Sequence, residues 1–398
     1  MHRWLLPLAA LLPAPLAAAM APGLPAPMPD RSVLAPGTEA QWVPFELTPG
    51  NQIRFAMTID GRSAMALLDT GFSQSVISRR WASEAGLRIT EGGIGLGIGG
   101  SVAIGQIDGR TLVIGGLTRT GGRLGVLDLP DSATGGATRI DVVIGSDLLR
   151  RYALDIDFAQ RRFRLLPSGR LPFAGDSAPL TLSGRDQLYI SEVRVGGTRL
   201  RPMIVDTGDG ATIAMSAEGW ASLGAARPTT TTTVSYSVAG AVQSDLAVLS
   251  EVAVGGAALR QAETLIEASG GFSARMGASG RIGTGFLQHF RVLLDPGAGR
   301  MVMAATADTD RAPLRSTSGL LLGAGQDRLR VLHVMRGSPA AAGGWRPGEE
   351  ICGIDGAAVS AGYRSDPIAM WPAGAPGRVV RLRLCGGATR ALTLARFY

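Results

Sequence analysis

Residues 53–78 read IRFAMTIDGRSAMALLDTGFSQSVIS, and residues 189–216 read YISEVRVGGTRLRPMIVDTGDGATIAMS. Each begins with an alternating apolar run, which has the period of a half-buried strand. A two-residue turn follows, Asp60-Gly61 in one and Gly196-Gly197 in the other. Such pairs favour the left-handed backbone of a tight β-hairpin. The returning strand of each hairpin ends on Asp-Thr-Gly: Asp69, Thr70 and Gly71 in the first copy, Asp206, Thr207 and Gly208 in the second.

A second pair of segments repeats downstream. DVVIGSDLLRRYALDIDFAQRRFRLLP starts at Asp141, and GRIGTGFLQHFRVLLDPGAGRMVMA starts at Gly280. Each carries an apolar stretch, a glycine (Gly145 or Gly283), a short leucine-bearing helical turn and a final hairpin. Gly145 follows Asp69 by 76 residues and Gly283 follows Asp206 by 77. Chance would supply on the order of 0.2 copies of Asp-Thr-Gly at this composition. Two copies in matched surroundings predict one β-rich lobe repeated in tandem, over residues 40–172 and 173–305.

Composition limits the alternatives. The 398 residues include 56 glycines and 23 prolines, with 45% hydrophobic and 18% charged residues. A core can form, and short strands joined by tight turns are the expected texture. There is no lysine, which excludes a Schiff-base lysine and a P-loop. The net charge of +7 rests on arginines scattered between apolar runs, so no nucleic-acid-binding stripe is expected. Three histidines, none at a metal-ligand spacing, leave no metal site or cofactor expected. Gly95-Leu96-Gly97-Ile98-Gly99-Gly100 matches a dinucleotide fingerprint but lacks the strand-to-helix context. A flexible β-hairpin flap is the better expectation there, with Gly99 and Gly100 at its tip. In the second copy SYSVAGAVQSD occupies the same place and carries Tyr236. Gly71-Phe72-Ser73-Gln74-Ser75 lacks the last glycine of a nucleophile elbow, so serine hydrolysis is not expected.

The paired Asp-Thr-Gly segments resemble the pepsin-like and retropepsin-like aspartic proteases, in which each lobe supplies one aspartate. The resemblance covers roughly residues 40–305. It implies an all-β fold of two tandem barrel-like lobes forming a pseudo-dimer, and an endopeptidase acting on peptides or proteins. Two adjacent carboxylates cannot both ionise cheaply, so Asp69 and Asp206 would share a proton and activate a water between them. Gly71 and Gly208 would permit the tight turn, Thr70 and Thr207 would hydrogen-bond across the lobes, and Gly145 and Gly283 would close the loop behind each aspartate. Two departures stand out. The position after the motif, usually small or hydroxylic in the family, holds Phe72 and Asp209, and Asp209 would add a third acid that raises or distorts the dyad. The first flap also lacks a tyrosine. A peptide-binding adaptor that kept the lobes and lost the chemistry therefore stays open beside the enzyme.

From residue 306 a polar linker leads into a different texture. Gly337-Ser338-Pro339-Ala340, Arg346-Pro347-Gly348-Glu349-Glu350 and Ile354-Asp355-Gly356 resemble a PDZ domain, with a helical insert after Val359. The resemblance implies a peptide C-terminus as ligand, held by free backbone N–H groups near Gly319, Leu320, Leu321 and Leu322. A small β-domain that only stabilises its neighbour is the alternative. Cys352 and Cys385 fall in predicted strands and read equally as a disulfide or as two buried thiols.

At the other end, His2 and Arg3 precede an apolar stretch from Trp4 to Leu16 and then Ala17-Ala18-Ala19. Residues 1–19 read as a secretory signal and 20–39 as a proline-rich spacer. Export to the periplasm or beyond follows, with a membrane tether if the signal stays uncleaved and no later spanning segment.

Overall fold

The computed structural model describes residues 29–136, 139–184, 186–224, 227–310 and 313–398. The signal read at 1–19 and most of the spacer lie outside them. The rest of that spacer is not the unstructured linker expected. Arg31–Leu34 forms a strand against Leu117–Thr120, and Asp30 pairs with the buried Arg119 at 3.1 Å.

The chain is predominantly β, and its residues 30–305 build two halves with the same hydrogen-bonding plan. In the first, Ile53–Ile59 buries Ile53, Phe55, Met57 and Ile59 and turns Arg54, Ala56 and Thr58 outward, the period of two that a pleated strand imposes. Asp60 and Gly61 at φ 49° and 78° make the left-handed turn that the Asp-Gly pair predicts. The return strand, Arg62–Leu68, is buried on both faces at its end, where it pairs in parallel with Val142–Ile144. Val142–Ile144 also pairs antiparallel with Val76–Ser78. The second half repeats this: Thr198–Asp206 lies parallel to Gly280–Gly283, which pairs antiparallel with Ile213–Met215.

One hydrophobic core runs through both halves, from Val43 to Met303. The two are joined where their final hairpins meet. Tyr152–Asp157 pairs antiparallel with Phe290–Asp295, Leu154 opposite Leu294 and Ile156 opposite Val292. Asp155 lies buried at this seam and takes hydrogen bonds from Arg164 and Arg291.

Residues 320–394 form a separate six-stranded sheet with its own core around Leu329, Ile351, Trp371, Val380 and Leu392. The insert expected to be helical is instead two short 3₁₀ turns, Tyr363–Ser365 and Pro367–Ala373. Pro367 and Pro372 remove the N–H groups that a longer helix needs. Trp371 from this insert fills the core and donates to the Tyr363 hydroxyl at 3.1 Å. Cys352 and Cys385 form a disulfide with Cα atoms 4.9 Å apart.

This sheet docks on the second half. Arg336 N–H donates to the Thr232 hydroxyl, Thr231 donates to Arg336 O, and the Arg336 guanidinium pairs with Asp245 at 3.2 Å. His333 Nε2 lies 2.8 Å from Thr232 Oγ1, and Tyr398 donates to Glu263 at 3.1 Å. Thr231, Thr232 and Asp245 sit at the root of the second flap hairpin. No helix among the described residues is long and apolar enough to cross a membrane.

Candidate active site

Each Asp-Thr-Gly turn is held from below by the strand parallel to it. Asp69 N–H donates to Ile144 O at 2.9 Å, and Asp206 sits level with Gly283 on the neighbouring strand. The glycines on those neighbours are there for room. A Cβ on Gly145 would lie 2.6 Å from Phe72 O, and one on Gly283 would lie 2.2 Å from Ala211 O and 2.6 Å from Asp209 O. The loop after each aspartate crosses directly over them.

The threonines lock the two turns together. Thr70 N–H donates to Thr207 Oγ1 at 3.0 Å, and Thr207 N–H returns the bond to Thr70 Oγ1 at 3.1 Å. Each hydroxyl also donates onward, Thr70 to Val205 O at 2.7 Å and Thr207 to Leu68 O at 2.9 Å. Both threonines are wholly buried. Four bonds in a dry environment fix one turn against the other.

Above this floor the two carboxyl groups converge, each lying against the turn that carries the other. Gly71 N–H holds Asp69 Oδ1 at 2.9 Å. Gly208 and Asp209 N–H groups hold Asp206 Oδ1 at 2.9 and 3.0 Å. Gly71 and Gly208 were expected for the bend of their own turns, but neither has a positive φ. Their role is to admit the opposite acid. A Cβ on Gly71 would lie 2.5 Å from both Asp206 oxygens, and one on Gly208 only 2.1 Å from Asp69 Oδ2.

Burial and the neighbouring Asp206 charge hold the Asp69 carboxyl well above the ordinary range. Asp206 is pushed up to about 6, by burial first and then by Asp209, while Arg281 and the Gly208 N–H pull it down. Asp209 is thus close enough to matter, as expected, but it is not an uncompensated third acid. Its Oδ2 accepts from Arg281 Nε at 2.8 Å. Phe72, at the matching position of the first half, packs on the apolar cluster of Leu67, Val76, Leu127, Ile140 and Val143.

Both glycine-rich stretches form hairpins, as expected. Thr90–Gly97 and Gly100–Asp108 make the first, Thr231–Ser237 and the start of Gly240–Val254 the second. Gly99, at φ 89°, makes the first tip. The tips touch: Ser237 donates to Ile98 O at 2.5 Å, and Ile98 packs on Leu188, Ile204 and Phe272 of the second half. A Cβ on Gly99 would sit 2.7 Å from Val242. Tyr236 lies on the rising strand of the second hairpin beside this contact.

The turn before Leu320 departs from expectation. Its N–H groups are not free: Gly319 donates to Ser316 Oγ at 3.0 Å, Leu320 to Ser318 Oγ at 3.1 Å, and Thr317 and Ser318 to Pro372 O. The serines cap their own turn. Leu321 and Leu322 continue into the strand Leu320–Ala324, which has one strand partner and an open outer edge among the described residues.

Sequence reasoning missed Arg281. It stands opposite Ile204, two residues before Asp206, as Val143 stands opposite Leu67, two before Asp69. Aligning the repeats would have shown a charge replacing a valine beside the motif, although not where the charge points. The chain has no significant match among curated proteins. Residues 55–148, from the first hairpin through Asp69 to just past Gly145, match the family model of the retropepsin-like aspartyl proteases.

Proposed function

We propose that the chain is an exported aspartic endopeptidase built from two tandem retropepsin-like lobes, with a C-terminal PDZ-like module that docks peptides. One observation carries the catalytic part: two Asp-Thr-Gly carboxyl groups, one from each half, brought against each other over a threonine lattice. An adaptor without chemistry has no need of two buried acids forced into contact. Keeping such a pair together costs free energy that a shared proton offsets.

In this reading a water sits between the acids, under the flaps. Asp206 takes one of its protons while the oxygen attacks the scissile carbonyl carbon. Asp69 gives its proton to the carbonyl oxygen, and a neutral gem-diol forms with no covalent bond to the enzyme. The C–N bond then breaks. The leaving nitrogen takes the proton from Asp206, and one diol hydroxyl returns a proton to Asp69 as the carboxylic acid product forms.

The open edge of Leu320–Ala324 is the place for an added peptide strand. A terminal carboxylate there displaces the Ser316 and Ser318 hydroxyls from the Gly319 and Leu320 N–H groups, a rotation of two side chains.

Incubation with an unfolded protein in ¹⁸O-water tests the catalytic reading. Cleavage with one ¹⁸O in each new carboxyl group is expected, abolished in Asp69→Asn and in Asp206→Asn while both variants stay folded. Activity retained by either variant, or a wild-type chain that cleaves nothing between pH 3 and 8, would overturn it.

A further inference from the structure

The two carboxyl groups are related by a near two-fold repeat, but their surroundings are not. On the Asp69 side, the positions after the motif and on the neighbouring strand hold Phe72 and Val143, both within one apolar cluster. On the Asp206 side the same positions hold Asp209 and Arg281. Arg281 is 3% exposed. Its Nε donates to Asp209 Oδ2 at 2.8 Å and lies 3.8 Å from Asp206 Oδ2. Its NH1 reaches Glu267 and donates to Ser273 Oγ at 2.9 Å, and its plane lies over the Phe272 ring. Ser273 N–H in turn holds Glu267 at 2.8 Å. A fully desolvated guanidinium is expensive to bury, so a network that fixes it against one carboxylate of the pair calls for an account.

We propose that Arg281 is a positioning residue that breaks the symmetry of the dyad: its guanidinium keeps Asp206 the ionised, water-activating member and leaves the shared proton on Asp69. The proposal rests on the peptidase reading for the roles, but the asymmetry itself belongs to the folded chain. The charged groups facing Asp206 are Asp69 from the first half, Asp209 from its own turn and Arg281 from the neighbouring strand. Behind Arg281 stands Glu267, at the end of the strand Ala257–Ile266. The helix Phe272–Arg275 offers the site only Phe272 and Ser273, and its Arg275 is exposed. The only cation among these groups therefore lies on the Asp206 side.

The test compares Arg281→Met with Asp209→Asn in the full chain. Met removes the cation at similar length; Asn removes the acid but still accepts from Arg281 Nε. The acidic limb of kcat/KM reports ionisation of the base. It is expected to move up by about one pH unit in Arg281→Met, which is a tenfold loss well below the limb and little loss on the plateau. In Asp209→Asn it is expected to move down. Arg281→Lys, which keeps the charge, should hold the limb near its wild-type position. Opposite shifts support an electrostatic device. Losses that are equal at all pH values, or shifts of one sign in both variants, would overturn it.

The same comparison is read without activity, by ¹³C titration of labelled aspartate carboxyl groups, with Asp206 assigned by its absence in Asp206→Asn. If the wild-type chain cleaves nothing but Asp206 titrates higher in Arg281→Met, the function falls and the asymmetry stands. If the chain is active and neither titration nor limb moves, the asymmetry falls and the function stands.

Discussion

Thr207→Val exchanges a hydroxyl for a methyl at almost constant volume, so it isolates the lattice beneath the dyad. The hydroxyl lost accepts from Thr70 N–H at 3.0 Å and donates to Leu68 O at 2.9 Å, both in a region without solvent. The stranded Thr70 N–H costs about 1–3 kcal/mol and the lost bond to Leu68 about 1 kcal/mol more. A destabilisation of about 2–4 kcal/mol follows. Urea unfolding at pH 7, followed by the fluorescence of Trp81 and Trp220 in the two halves, reads it as a lower midpoint at unchanged slope. Thr207→Ser keeps the oxygen and should lose no more than about 1 kcal/mol, the scale of a repacked methyl. Because the bonds span the two turns, Thr207→Val should also lower kcat more than it raises KM. A valine variant within about 0.5 kcal/mol of wild type, or a serine variant as weak as valine, would refute the argument, since only the oxygen distinguishes them.

Other outcomes follow from the same geometry. Asp206, raised from an ordinary 3.8 to about 6, binds its proton more tightly folded than unfolded; stability is therefore highest below pH 4 on this account and falls as pH rises through 6. The full loss is about 3 kcal/mol, and Asp206→Asn should flatten that segment of a stability-against-pH curve. Gly283→Ala should destabilise by more than about 2 kcal/mol in the same unfolding assay, because its methyl would lie 2.2 Å from Ala211 O, while Gly197→Ala, which meets nothing, should not. A chain ending at Thr309 should show faster amide exchange in Thr231–Ser237, having lost the bonds from Arg336 and His333. Its loss of kcat/KM should be greater on a protein with a docking C-terminal tail than on a short peptide. Equal losses would make the module a brace for the flap instead.

Much of this arrangement is legible in the chain because its signals are local. The alternation of Ile53–Ile59 and the Asp60-Gly61 turn specify a hairpin whatever surrounds them, and the repeated motif announces that two such hairpins must meet. The ends of the chain were harder. Arg31–Leu34 is a strand because Leu117–Thr120 offers it an edge, a fact absent from its own composition. The insert at 363–373 has apolar content suited to a helix, but its prolines divide it. Asp209 read alone is a liability. Its partner Arg281 is 72 positions away, and only the parallel pairing of Thr198–Asp206 with Gly280–Gly283 brings them together. The capping of Gly319 and Leu320 by serines depended on hydroxyl rotamers that no spacing encodes.

The seam between the final hairpins carries a consequence for the order of events during synthesis. Asp69, Thr70 and the strand Tyr152–Asp157 leave the ribosome well before the residues they need. Thr70 waits for Thr207, and Tyr152–Asp157 waits for Phe290–Asp295. Until Asp206 and Thr207 have emerged the growing chain holds half a lattice and one carboxyl group, and until about residue 295 has emerged it also carries an unpaired strand edge. Such an edge invites a partner, and a second nascent copy could offer the equivalent one. On the peptidase reading proposed above, hydrolytic competence thus arrives late. A chain interrupted in its second half would be an aggregation hazard without being a proteolytic one.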